Sequence, residues 1–241
     1  MVKTFITTLT EKTQMVHNVI LFKFSLKPED KLEFKAGQYM IVRVNNTPRL
    51  YSIFSPDYIN DSFQLFVKIV EGGLATTYLN GLKVGDQVTF QGPGGVFALK
   101  ETETTKVFLA TVTGLAPMMS VIKSHYHKNP QSQVKMKILW GLQSREDLCL
   151  LEELKTIKKD HPNFDFKVCL SREKDLSFIK DEDKQYFILG RLNSGIDDLG
   201  KTEDLKTIEY YLCGSRVVVE AMRQYIESKG VAKELVHFER F

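Results

Sequence analysis

The stretch KETETTKVFLATVTGLAP, residues 100–117, is where this chain changes character. Its first six residues, 100–105, are polar and mark a boundary. Residues 106–112, KVFLATV, then form a short apolar run of the kind buried in a sheet. Pro117 suits the first turn of a helix, where its missing N–H is not needed, and the spacing predicts that helix to about His127. The same alternation repeats downstream. Strands are predicted at 134–141 (VKMKILWG), 164–171 (FDFKVCLS), 209–215 (EYYLCGS) and in the closing ELVHFERF. One helix is predicted over 145–159, with Leu148, Leu151 and Leu154 on its apolar stripe. Another runs to about Lys229, with Gly230 as its C-terminal cap. Strands alternating with helices imply a parallel, doubly wound α/β sheet, and such sheets bind nucleotides at the carboxyl ends of their strands.

Upstream the rhythm differs. GQYMIVRV (37–44), FQLFVKIV (63–70) and DQVTFQG (86–92) are rich in β-branched and aromatic residues and are separated by Pro, Gly, Asn and Asp. Short strands punctuated in this way predict an antiparallel β-barrel or sandwich. The sequence therefore reads as two domains, a β-domain over 1–103 and an α/β domain over 104–241.

Composition narrows the function classes. Residues 1–103 carry a net charge of +1 and the remainder +2, so neither half has the basic excess of a nucleic-acid binder. A small acidic protein docking locally is compatible with this balance. Cys149, Cys169 and Cys213 lie far apart with no Cys-x-x-Cys, which argues against a structural zinc site or a cysteine-ligated iron–sulfur cluster. Three dispersed thiols and an N-terminus, MVKTFITTLT, without a signal-peptide pattern fit a reducing cytoplasm. The most apolar stretch, VFLATVTGLAPMMSVI, is too short for a membrane span and contains Gly and Pro.

Two segments of the first half carry candidate chemistry. In RLYSIFSP (49–56), strand alternation puts Arg49 and Tyr51 on one face, and Ser52 joins them if the strand ends there. They offer a cation for phosphate, a flat aromatic face and a hydroxyl. In EGGLATTYL (71–79), Gly72 and Gly73 permit close backbone approach, and a helix starting near Leu74 offers N–H groups to an anion. A simple connecting turn accounts for the same glycines.

The order of these pieces is more specific than any one of them. Arg49-x-Tyr51-Ser52 is followed by Gly73-x-x-Thr76-x-x-Leu79, then Gly85-Asp86, then Gly92-Pro93-x-Gly95-x-Phe97. ATVTGLAP (110–117), SRE (171–173), CGS (213–215) and FERF (238–241) come next. The set closely resembles the ferredoxin–NADP reductase superfamily along essentially the whole chain. The resemblance implies an N-terminal FAD-binding barrel and a C-terminal NAD(P)-binding domain. Arg49 would bind the flavin's pyrophosphate together with Gly73, Leu74, Ala75 and Thr76. Leu50 belongs to the same flavin-binding run, Tyr51 would lie against the isoalloxazine, and Ser52 would sit near flavin N5. The terminal Phe241 would stack on the flavin. Thr113, Gly114 and the helix begun by Pro117 would face the NAD(P) pyrophosphate. Cys213 and Gly214 would lie beside nicotinamide C4, with Glu239 as a carboxylate near that centre. Ser52, Cys213, Glu239 and Phe241 are thus the implied catalytic residues.

Ser171, Arg172 and Arg191 stand where relatives that use NADPH hold the 2′-phosphate. The implied activity is therefore hydride transfer from NADPH to FAD, with electrons passed to an external carrier such as ferredoxin or flavodoxin. NADH-dependent reduction of an oxygenase component or of free flavin is the alternative, and a flavin-bearing subunit without nicotinamide turnover is a third. The chain departs from the family pattern at three places. Val112 replaces the usual glycine ahead of Thr113, and it also reads as a strand residue packed in the core. Arg216 replaces a frequent proline. Gln143 replaces an arginine, with Arg145 and Lys174 nearby. No metal is implied.

Overall fold

The computed structural model describes residues 3–240. The first six strands are β1 (Lys3–Val16), β2 (Val19–Ser25), β3 (Tyr39–Val44), β4 (Thr47–Ser52), β5 (Ser62–Lys68) and β6 (Gln87–Gly94). They form one antiparallel sheet in the order β4-β3-β6-β1-β2-β5. An Ile53–Leu65 bridge joins its two edges and closes it into a barrel. Phe24, Phe63 and Phe90 fill the interior, with ring centroids 4.9 to 5.6 Å apart. Helix α1 (Leu74–Gly81) buries Ala75 and Leu79 in the same core.

A two-residue turn sets the register of β3 and β4. Asn45 and Asn46 both have positive φ, 48° and 61°. Asparagine tolerates this conformation, and such a turn matches the twist of the strands it joins. It aligns Val44 with Thr47, and so places Arg49 opposite Val42 and Tyr51 opposite Met40. A one-residue slip would send Arg49 and Tyr51 to the other face.

The second sheet contains β7 (Lys106–Thr111), β8 (Met136–Leu142), β9 (Phe164–Leu170), β10 (Phe187–Leu189), β11 (Glu209–Gly214) and β12 (Val236–Arg240). All its pairs are parallel, in the order β10-β9-β8-β7-β11-β12. The helices of this half are α2 (Leu115–Lys128), α3 (Leu151–Asp160), α4 (Leu192–Leu199) and α5 (Arg216–Ser228). The chain winds outward from β7 to β10, then returns to β7's other side as β11. The strand order therefore reverses between β7 and β11. Helix α2 is grouped by its packing with the barrel: one compact unit takes the chain up to Lys100 with Ala116–Lys128, and the other takes Glu101–Leu115 with the chain from Asn129 onward. Ser120 Oγ donates to the Ser55 carbonyl at 2.7 Å, and the Asp57 N–H donates to Ser124 Oγ at 2.9 Å.

The helix expected over 145–159 is shorter. Ser144 and Asp147 cap a single 3-10 turn over Arg145–Asp147, and Leu150 adopts a left-handed backbone, φ 62°. That residue breaks the continuity of the turn into α3, which starts at Leu151. The sequence missed β10 and α4, a three-residue strand and an eight-residue helix.

The strand starts, at the amino edge of the second sheet, hold a buried ion pair. Lys106 Nζ donates to Glu209 Oε2 at 2.9 Å, and both side chains are buried. Thr102 and Tyr211 donate to the same carboxylate at 2.8 and 3.0 Å. Burial alone would raise the Glu209 carboxyl, but these donors hold it below its ordinary value of 4.5. Its stabilisation is therefore complete above pH 4.5 and drains away as pH falls through the lower folded value. Lys106→Met strands the carboxylate and is expected to cost about 3–5 kcal/mol, while Lys106→Met/Glu209→Gln recovers most of it. Urea unfolding at pH 7 and pH 4 checks both statements.

Candidate functional site

On the barrel, β4 ends at Ser52, so Arg49, Tyr51 and Ser52 lie on one short edge strand. Arg49 is exposed, and its Nη1 donates to the neighbouring Pro48 carbonyl at 2.9 Å. Tyr51 is half-buried against the barrel core. Burial pushes its phenol up to about 12, while the charge of Arg49 pulls it down, so the two side chains sense each other. Leu50 is 49 % exposed on the opposite face. Helix α1 begins at Leu74 with Gly73 as its cap and no side chain on its first N–H groups. Those donors are free for an anion. Thr76 is otherwise engaged. Its hydroxyl donates to the Val70 and Gly73 carbonyls at 3.0 and 3.2 Å and clamps the glycine turn. A Cβ on Gly73 would fall 2.5 Å from that hydroxyl, so glycine is what lets the clamp close.

In the other unit, the reversal of strand order gathers Thr113, Gly114, Cys213, Gly214 and Glu239. Gly114 follows β7 so closely against β11 that a Cβ would lie 2.2 Å from the Cys213 carbonyl oxygen. Cys213 pairs in register with Glu239 of β12. The Cys213 thiol is buried, and burial first, then the Glu239 charge, raises its pKa far above the ordinary value. It is a neutral thiol at physiological pH. Ser171 and Arg172 follow β9, and Arg191 caps α4 just after β10. The loops are tied together. Ser171 N–H donates to Leu142 O at 3.1 Å, Arg172 N–H to Gln143 O at 2.8 Å, and Gly190 N–H to Leu170 O at 2.8 Å. Both arginines are exposed at the carboxyl edge of the sheet. Pro117 is the third residue of α2 and is buried. Phe241 lies outside the described residues.

Comparison with known proteins assigns a family to each half of the chain. Residues 6–99 match the oxidoreductase FAD-binding domain family, and residues 108–224 match the oxidoreductase NAD-binding domain family. The chain belongs to the ferredoxin–NADP reductase superfamily.

Among the relatives of this reductase superfamily is a toluate 1,2-dioxygenase electron transfer component of Pseudomonas putida, 27 % identical over 95 % of this chain and 65 % of its own length. Another is an NADH-cytochrome b5 reductase 1 of Dictyostelium discoideum, 32 % identical over 65 % of this chain and 56 % of its own. The chain thus spans less than two thirds of the length of these relatives. In fold it is similar to an Amycolatopsis cytochrome P450 reductase, GcoB, with TM-score 0.88 and 24 % identity over 100 % of this chain and 70 % of that one. It is also similar to the ferredoxin–NADP⁺ reductase of Plasmodium falciparum, with TM-score 0.73 and 20 % identity over 99 % of this chain and 96 % of that one.

Measured against the reductase pattern, Val112 is not a core strand residue. Strand β7 ends at Thr111, and Val112 opens a 3-10 turn with φ 46°. The backbone thus keeps a left-handed conformation suited to glycine although the side chain is valine. Arg216 is the first residue of α5, a position that proline suits and arginine also fills. Arg145 does not project freely. Its guanidinium lies 5.4 Å from the Phe178 ring centroid, and its backbone N–H donates to Glu173 Oε1 at 2.9 Å. Sequence reasoning missed Trp140, whose indole Nε1 donates to the Val112 carbonyl at 3.0 Å. The one available signal was a lone tryptophan just before Gly141 at a strand end.

Proposed function

We propose that this chain holds FAD on its barrel and NADPH on its parallel sheet, and passes electrons onward to a one-electron carrier. The observation that carries this reading is the meeting of Gly114, Cys213 and Glu239 where the strand order reverses, the place where open α/β sheets take nucleotides. When bound, the two cofactors supply the redox chemistry, hydride passing from nicotinamide C4 to flavin N5. The protein supplies orientation and charge. Arg49 and the N–H groups of Leu74 and Ala75 at the start of α1 neutralise the flavin's pyrophosphate, while Gly73, whose own N–H donates to the Val70 carbonyl at 3.0 Å, permits the close approach. Leu50, whose side chain lies on the strand's other face, contributes to the same flavin-binding run through its backbone. Tyr51 lies against the ring system and Ser52 places its hydroxyl beside the reactive nitrogen. Thr76 acts by holding the glycine turn in shape. Thr113 and Gly114 hold the nicotinamide nucleotide's pyrophosphate, and Pro117 lies in the first turn of the helix that follows them in the chain. Cys213 and Gly214 give its ring a flat, neutral seat, and Glu239 supplies a carboxylate at its edge.

The NADPH preference rests on Ser171, Arg172 and Arg191, two exposed guanidiniums and a hydroxyl on adjoining loops. A 2′-phosphate makes charge-assisted bonds to such groups. Anaerobic bleaching of the flavin by NADPH and by NADH tests this. NADPH is expected to act faster. Arg172→Ala/Arg191→Ala is expected to slow it about tenfold to hundredfold at low concentration while leaving NADH little changed. Equal speeds in the parent protein would favour a second reading, an NADH-dependent reductase component of an oxygenase or a free-flavin reductase. Gln143, in place of an arginine, and the oxygenase electron-transfer relatives support that reading. A yellow protein inert to both cofactors would mean a flavin-bearing subunit instead.

Arg49→Ala is expected to weaken FAD about tenfold to hundredfold, read as flavin lost on dialysis. Ferredoxin, flavodoxin or an oxygenase component is the proposed acceptor. The proposed location is the cytoplasm, in keeping with three free cysteines and with no membrane-length apolar helix among the described residues.

A further inference from the structure

Val112 carries the least comfortable backbone near the nucleotide edge. A β-branched residue resists positive φ, because its Cβ crowds the carbonyl that follows. Its φ is 46°, and the turn it opens leads directly to Gly114 under Cys213. Such a conformation persists only where its surroundings over-determine it. Two donors meet the Val112 carbonyl, the Leu115 N–H and the indole Nε1 of Trp140 at 3.0 Å. The indole cannot wander. Trp140 is 1 % exposed in β8, in register with the small Ala110 of β7, two residues before the turn. The geometry points to Trp140 as a positioning residue that holds Val112, at the head of the Val112–Gly114 turn, in the left-handed backbone that a glycine there would adopt unaided. Trp140 and Val112 are then one device, and the departure from the family's glycine is compensated from the neighbouring strand. The consequence for nucleotide binding rests on the function proposed above.

The inference is tested on the full flavin-loaded chain with Trp140→Phe, Val112→Gly, the double variant, and Val112→Ala. Each is scored twice, by thermal melting without nucleotide and by the dissociation constant for NADP⁺ and NAD⁺ from flavin difference spectra. Val112→Gly is expected to melt about 2–4 °C above Val112→Ala, reversing the usual order of the two residues. Trp140→Phe is expected to weaken nucleotide binding about tenfold in the valine background and about twofold or less in the glycine background. Equal losses in both backgrounds would overturn the proposal, because Trp140 would then merely fill the core. Val112→Ala melting at or above Val112→Gly would overturn it independently, even if Trp140→Phe failed to fold. Coupled melting shifts with no nucleotide bound by any variant would support the hold on the turn and remove the nucleotide reading of the edge.

Discussion

Gly114→Ala is expected to remove nucleotide-driven flavin reduction while leaving FAD on the protein. The new methyl would stand 2.2 Å from the Cys213 carbonyl oxygen and 2.8 Å from its carbon. Both are backbone atoms of β11, which is pinned between β7 and β12. No flexible side chain can yield, so the turn itself must move. Overpacking of this kind costs about 1–3 kcal/mol and more where backbone shifts. Displacing a nucleotide-binding turn by an ångström is expected to cost about a hundredfold in rate. The check is stopped-flow bleaching with NADPH beside a melting curve. Unchanged rate and midpoint would mean the turn has slack that the contact distances deny.

Cys213→Ala is expected to slow flavin reduction about hundredfold with little change in the apparent affinity for nucleotide. The reasoning runs through the state of the thiol. Burial and the neighbouring Glu239 charge raise its pKa, so the neutral form persists through the physiological range. A neutral thiol contributes shape and position, and no nucleophile is needed. The rate of the parent protein is therefore expected to be flat from about pH 6 to 9 so far as Cys213 is concerned. Cys213→Ser, of similar size, is expected to recover part of the loss. A rate that climbs with thiolate formation across that interval would sink the positional role.

Elements with strong local signals were readable from the sequence. Apolar runs such as KVFLA and EYYLCG lie in buried parallel strands, and burial on both faces is what makes such runs continuous. Strand β1 was harder. Its threonine-rich run turns only Phe5, Thr7 and Leu9 inward before the alternation fades at the surface. The stripe of Leu148, Leu151 and Leu154 was real in part, since Leu154 is buried, but Leu150's left-handed backbone breaks the helix ahead of it. Periodicity carries no information about such a break. The candidate residues at strand ends were legible as an ordered set. What joins distant positions was not: the Trp140–Val112 bond spans 28 residues and the Lys106–Glu209 pair spans 103. Those contacts exist because β7 lies between β8 and β11, and strand order is a tertiary fact.

Trp140 is also the only tryptophan in the chain, and it lies in the unit that holds the parallel sheet. The barrel therefore has no indole of its own. With flavin seated on the barrel as proposed, the two units would carry separate optical labels, ultraviolet emission for one and visible colour for the other. Heating while watching both wavelengths would reveal whether the halves of this molecule melt as one cooperative body or in turn.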